Sequence, residues 1–118
     1  MAKVLIVDDD PAILEAMQIA IEDEGYTVET VADGNSAADT AKSFLPDIIL
    51  LDLLLSGKDG TEIIAMLRSQ DETKAIPVIL LSAHPNAADT AKKCGANDFL
   101  AKPFDVDELL DKVAEFTS

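Results

Sequence analysis

Short, unbroken apolar runs alternate along the chain with segments in which apolar residues return every three or four positions. The runs are Val4-Leu5-Ile6-Val7, Ile48-Ile49-Leu50-Leu51 and Val78-Ile79-Leu80-Leu81, and runs of that length suit strands buried on both faces of a parallel sheet. Between them Ile13, Met17 and Ile21 recur at spacing four, as do Ile63 and Leu67, and Val106, Leu109, Leu110 and Val113 mark a last helix. Each stripe is expected to face the core. Residues 26–31, with Val28 and Val31 among Thr27, Glu29 and Thr30, and the very short stretch 98–101 read as edge strands. Five strands, each followed by a helix, make five βα units whose right-handed crossovers cover both faces of the sheet. The expected strand order is 2-1-3-4-5.

Helix starts support this division. Asp59 precedes Gly60-Thr61-Glu62 and Asp105 precedes Val106-Asp107-Glu108, each an Asp cap with Glu at the third helical position. The hexapeptide Ala-Ala-Asp-Thr-Ala-Lys occurs at 37–42 and again at 87–92, after Ser36 and Asn86 as candidate caps. Two copies fall short of a repeat array. The most turn-like segments are Ser56-Gly57-Lys58-Asp59-Gly60 and His84-Pro85-Asn86.

At 118 residues the chain is expected to form a single domain over 1–118. No apolar run approaches the roughly eighteen residues of a membrane span, and no secretory signal opens the chain, so the default location is cytoplasmic. A net charge of −14 disfavours a phosphate backbone or an anionic membrane as direct partner. The single cysteine, Cys94, cannot form an internal disulfide and reads as a small, partly buried helix residue.

Chemistry gathers at the strand ends. Asp8-Asp9-Asp10 follow the first run, and Pro11 then opens a helix. Asp10 is a good cap with Pro11 at the first helical position, which explains one carboxylate and leaves two. Adjacent carboxylates raise one another's proton affinity, a cost usually met by a bound cation, and a hard oxygen-seeking ion such as Mg²⁺ fits best. Asp52 ends the second run, Ser82 the third, and Lys102 follows Phe99-Leu100-Ala101. Taken singly, these are a turn former, a strand-end hydroxyl and a surface cation. Together, at one sheet edge, they suit a phosphoryl group in transfer.

With these pieces in order, and with Pro46-Asp47 before the second run, Gly57-Lys58-Asp59-Gly60 after it, Pro77 before the third, and Gly95-Ala96-Asn97-Asp98 before Phe99, the chain resembles the response-regulator receiver domains of two-component signalling over essentially its whole length. The resemblance implies an α/β, flavodoxin-like (βα)5 sandwich of three layers. It implies that Asp52 accepts a phosphoryl group from a histidine kinase or histidine phosphotransfer protein. Asp9, Asp52 and the backbone carbonyl of Leu54 would bind Mg²⁺, with Asp8 acting through a water. Ser82 and Lys102 would hold phosphoryl oxygens, and Phe99 would move with Ser82 as a switch. Leu54 and His84 hold positions that tune phosphoryl lifetime in such proteins; His84 reads equally as a solvated loop residue. The resemblance further implies a signalling phosphoacceptor and not a turnover enzyme, with slow autodephosphorylation at most, acting on an output domain or protein. It would be a monomer or a weak phosphorylation-dependent dimer. A cis Lys102-Pro103 bond is a feature such proteins can carry.

Some positions depart from the common pattern. Ser56 replaces a usual proline, which predicts a looser loop after Asp52. Phe99 replaces a usual tyrosine and has no hydroxyl to lock its position. The segment between Ser82 and Lys102 is short, so the fourth helix is expected to be small. Two other readings compete. A haloacid-dehalogenase type of enzyme would need a second Asp where Leu54 stands, and a receiver-fold interaction module free of phosphorylation would have no reason to keep Asp9, Asp52, Ser82 and Lys102. Flavodoxin-like cofactor binding is disfavoured because the first loop lacks glycines.

Overall fold

The computed structural model describes residues 2–55, 58–83 and 85–117. The three apolar runs become β1 (Lys3–Val7), β3 (Ile48–Asp52) and β6 (Val78–Ser82), and the two expected edge strands become β2 (Thr27–Val31) and β7 (Asp98–Ala101). All pair in parallel, in the order β2-β1-β3-β6-β7, the 2-1-3-4-5 arrangement of the main strands. The helices are α1 (Pro11–Asp23), α2 (Gly34–Phe44), α3 (Gly60–Arg68), α4 (Ala87–Cys94) and α5 (Val106–Thr117).

Strand alternation explains why the central runs are apolar throughout. Leu5, Val7, Ile49, Leu51, Val78 and Leu80 pack with α2, α3 and α4 through residues such as Ala41, Ile64, Leu67 and Ala91. Val4, Ile6, Ile48, Leu50, Ile79 and Leu81 pack on the other face with Leu14, Met17, Ile21, Leu109 and Val113 of α1 and α5. Each such Val, Leu, Ile or Met side chain contributes about 1.5–3 kcal/mol by leaving water, and both faces need that cover.

The helix caps follow side-chain chemistry. Asp10 Oδ1 accepts from the amides of Ala12 at 2.9 Å and Ile13 at 3.4 Å. Asp59 accepts from the amide and hydroxyl of Thr61. Asp105 and Glu108 close a reciprocal capping box, at 2.9 and 3.5 Å. Three expectations shift. The cap of α2 is Asp33 and not Ser36: the helix begins at Gly34, Asp33 accepts from the Asn35 amide, and the Ser36 hydroxyl donates back to Asp33 from within the first turn. Val106 is 54% exposed, because Leu109 and Val113 are the α5 residues turned to the sheet. Leu14 takes the buried place on α1, while Ile13 is half-buried at its flank.

Beyond Asp52 the chain forms a small antiparallel hairpin, β4 (Leu54–Leu55) against β5 (Lys58–Asp59), which leads directly into α3. Ser56 lies outside the described residues. Arg68, at the end of α3, donates to the carbonyls of Lys74, Ile76 and Gly95 and to Asn97 Oδ1. Burial pulls its pKa below the usual arginine value. This fork ties α3 to the loop before β6 and to the turn between α4 and β7. As expected, α4 is short, at eight residues, and it buries only Ala87 and Ala91.

Candidate functional site

Parallel register brings the strand ends together. Val7 pairs with Leu51, Asp52 with Leu81, and Ser82 with Ala101. Asp8 therefore leaves β1 beside Asp52, and Lys102 leaves β7 beside Ser82. Backbone hydrogen bonds extend the alignment past the strands, from Asp8 N to Val31 O, Leu53 N to Leu81 O and Lys102 N to Ser82 O.

Asp8 is fully buried, Ser82 is 4% exposed and Asp52 is 9% exposed, while Asp9 and Lys102 are half-buried. One carboxylate oxygen from each of Asp8, Asp9 and Asp52 lies within 4.8 Å of the others. Lys102 Nζ stands 3.4 Å from Asp8 Oδ2 and 3.5 Å from Asp52 Oδ1. Asp8 Oδ1 accepts from the Asp10 amide at 3.0 Å, which fixes the ring of three acids to the start of α1. Both ammonium distances exceed the 2.7–2.9 Å of a tight charged hydrogen bond. Lys102 thus bridges two carboxylates loosely, with donor capacity for another oxygen. Three carboxylates against one ammonium make a site that attracts cations, and its all-oxygen donors suit a hard divalent ion.

The structure therefore brings together Asp8, Asp9, Asp52, Ser82 and Lys102 as the sequence predicts. The Lys102-Pro103 bond is cis. Phe99 is half-buried, beside Leu80 in the sheet, and packs against the core cluster that includes Ala91 of α4. The backbone of Leu54 lies in β4, two residues beyond Asp52. His84 lies outside the described residues.

Two features escaped the sequence reading. The first is an apolar groove of about 520 Å³ between the Ile13, Met17 and Ala20 side of α1 and Phe104, Val106 and Leu109, with Ala83 and Lys102 also lining it. Its signal was the width of the α1 stripe, where Ile13 and Leu14 are both apolar and only Leu14 turns fully into the core. The second is the close seating of Gly60 on the backbone that follows β3.

A family model for the response regulator receiver domain matches residues 4–114. The chain belongs to this family. Among its receiver relatives, the DNA-binding dual master transcriptional regulator RpaA of Synechocystis is 41% identical over 115 residues, covering 96% of this chain and 48% of that regulator. The DNA-binding response regulator MtrA of Mycolicibacterium smegmatis is 33% identical, again with 48% of its length covered, so the chain spans about half the length of these relatives. The chemotaxis response regulator CheY4 of Vibrio cholerae superposes with a TM-score of 0.91 at 34% identity, over 98% of both chains. The receiver domain of sensor histidine kinase PA1611 from Pseudomonas aeruginosa, solved with a magnesium ion coordinated in its active site cleft, superposes at 0.90 with 30% identity, over 98% of this chain and 97% of that one. The receiver fold of this chain is thus that of two-component response regulators. Among the described residues no helix is long and apolar enough to cross a membrane.

Proposed function

We propose that this receiver takes a phosphoryl group on Asp52 from the phosphohistidine of a kinase or phosphotransfer protein, and that the resulting acyl phosphate changes what the domain binds. The reading rests on one observation: the clustered carboxylates of Asp8, Asp9 and Asp52, with Lys102 between two of them. A carboxylate attacking an anionic phosphoryl group needs positive charge close by, placed before the reaction begins. An Asp52 oxygen would form the new P–O bond as the P–N bond to the donor imidazole breaks. The departing imidazole keeps that electron pair and takes up a proton. Lys102 would leave its loose bridge to hold one phosphoryl oxygen, and the Ser82 hydroxyl would donate to a second.

The acids fit Mg²⁺, which Asp9, Asp52 and the Leu54 carbonyl would hold directly and Asp8 through a water. When bound, the ion supplies charge neutralisation shared by the attacking and incoming oxygens. The apolar groove supports a protein donor, since a helix laid along α1 would end beside Lys102. The chain would act as a phosphoacceptor in the cytoplasm and as one receiver unit over 1–118, either monomeric or forming a weak dimer once phosphorylated. The output would be another domain or protein. Its own net charge of −14 argues against nucleic acid as a direct partner. Phe99 and Ser82 would relay the event, while Leu54 and His84 would set the lifetime of the acyl phosphate by admitting or excluding water.

Intact mass after incubation with Mg²⁺ and acetyl phosphate tests this. One phosphoryl adduct is expected on the unmodified chain, and none on Asp52→Asn or with the metal chelated. No adduct, or an equal one on Asp52→Asn, would favour an interaction module that works without phosphorylation.

A further inference from the structure

Gly60 opens α3, and its φ lies outside the left-handed region that favours glycine. Its backbone shape is therefore open to any residue, and helix propensity alone would prefer alanine there. Space decides otherwise. A Cβ added at Gly60 would stand 2.8 Å from Asp52 O, 2.9 Å from Leu53 Cα and 3.0 Å from Leu53 O. All three are backbone atoms, so the strain cannot be relieved by turning a side chain. The Gly60 amide also donates to Leu53 O at 2.7 Å. Leu54 pairs with Asp59 just above this bond, so the hairpin closes on itself with Gly60 at its base.

Resting on the function proposed above, we infer that Gly60 is a positioning residue for the metal and phosphoryl site. Its bare Cα lets α3 seat on the peptide after Asp52, and this holds the course of the Asp52–Leu54 backbone that carries the acceptor carboxylate and the carbonyl ligand. An added methyl group would displace that segment while leaving Asp8, Asp9 and Lys102 where they are.

The test is Mg²⁺ affinity by calorimetry, without any phosphodonor, on the full chain, on Gly60→Ala and on Gly25→Ala as control. Gly25 has a φ of +97° and open space around it, so alanine there strains the fold far from the site. Gly60→Ala is expected to weaken Mg²⁺ binding tenfold or more, and Gly25→Ala to leave it within twofold. Equal affinity in Gly60→Ala and the unmodified chain would overturn the inference. Failure of the unmodified chain to bind Mg²⁺ would instead sink the function on which it rests. A second measurement needs no variant: the Gly60 amide resonance should shift along with that of Asp52 as Mg²⁺ is titrated. A stationary Gly60 signal beside a moving Asp52 signal would also overturn it.

Discussion

At Lys102 one ammonium stands between two carboxylates, and its part in folding can be separated from its part in chemistry. Asp8 is fully buried and its Oδ2 faces Lys102. Removing one partner of a buried pair strands the other charge, at a cost of about 3–5 kcal/mol when both are deep. With the Lys102 side chain 22% exposed, Lys102→Met should cost less, about 2 kcal/mol by the same principle. Mg²⁺ should restore much of that loss, because a cation bound by the acids replaces the missing charge. Urea unfolding of both proteins in chelator and in Mg²⁺ checks this. Equal midpoints in chelator would mean that the bridge contributes nothing. The acids themselves were legible in sequence, down to the split that makes Asp10 a cap and leaves Asp8 and Asp9 to the cluster. Gly60 was visible as part of a motif, but its reason was not: the backbone it meets lies seven and eight residues back, a contact no local pattern records.

Among the elements, the strands were the easiest to read. β1, β3 and β6 are buried on both faces, so each carries an unbroken run of four apolar residues, while β2 at one sheet edge alternates polar with apolar and β7 at the other is only four residues long. Boundaries were harder. Asp33 caps α2 three residues before the predicted cap, because Asp33 and Ser36 can both cap and only the turn geometry chooses. The β4–β5 hairpin pairs two residues with two, too short for any periodicity to show. Val106 matched the α5 stripe by spacing yet lines the groove instead, since position along a helix end depends on the neighbouring loop. The packing of α5 on β7 also carries a pH signature. Lys112 donates to Asp98 Oδ2 at 2.6 Å, and this hydrogen bond raises the lysine pKa above its ordinary 10.5. A raised lysine contributes stability that is complete below the unfolded value and fades as pH climbs through the folded one. Lys112→Met should therefore be less stable than the unmodified chain from neutral pH up to about 10, with the gap closing at higher pH. A gap unchanged at high pH would assign the loss to packing of the lysine stem.

For the whole molecule, two helical layers cover the sheet and leave the ends of its strands open, and Asp8, Asp9, Asp52, Ser82 and Lys102 lie at or just past the ends of four of the five strands. No single strand end was decisive in the sequence. The parallel register made them one site, by placing Asp8 beside Asp52 and Lys102 beside Ser82. The same edge meets the apolar groove along α1, where the proposed phosphodonor would dock. Family membership agrees with this architecture, and relatives about twice as long show receivers of this kind joined to further sequence. The proposed chemistry places the acyl phosphate on the carboxylate of Asp52. Borohydride reduction of the phosphorylated chain, followed by peptide mapping, checks this placement, because hydride converts an aspartyl phosphate to homoserine at the residue that bore it. Homoserine at position 52 alone is the predicted result. Homoserine at Asp8 or Asp9, or none anywhere in a chain that has gained phosphate, would contradict it.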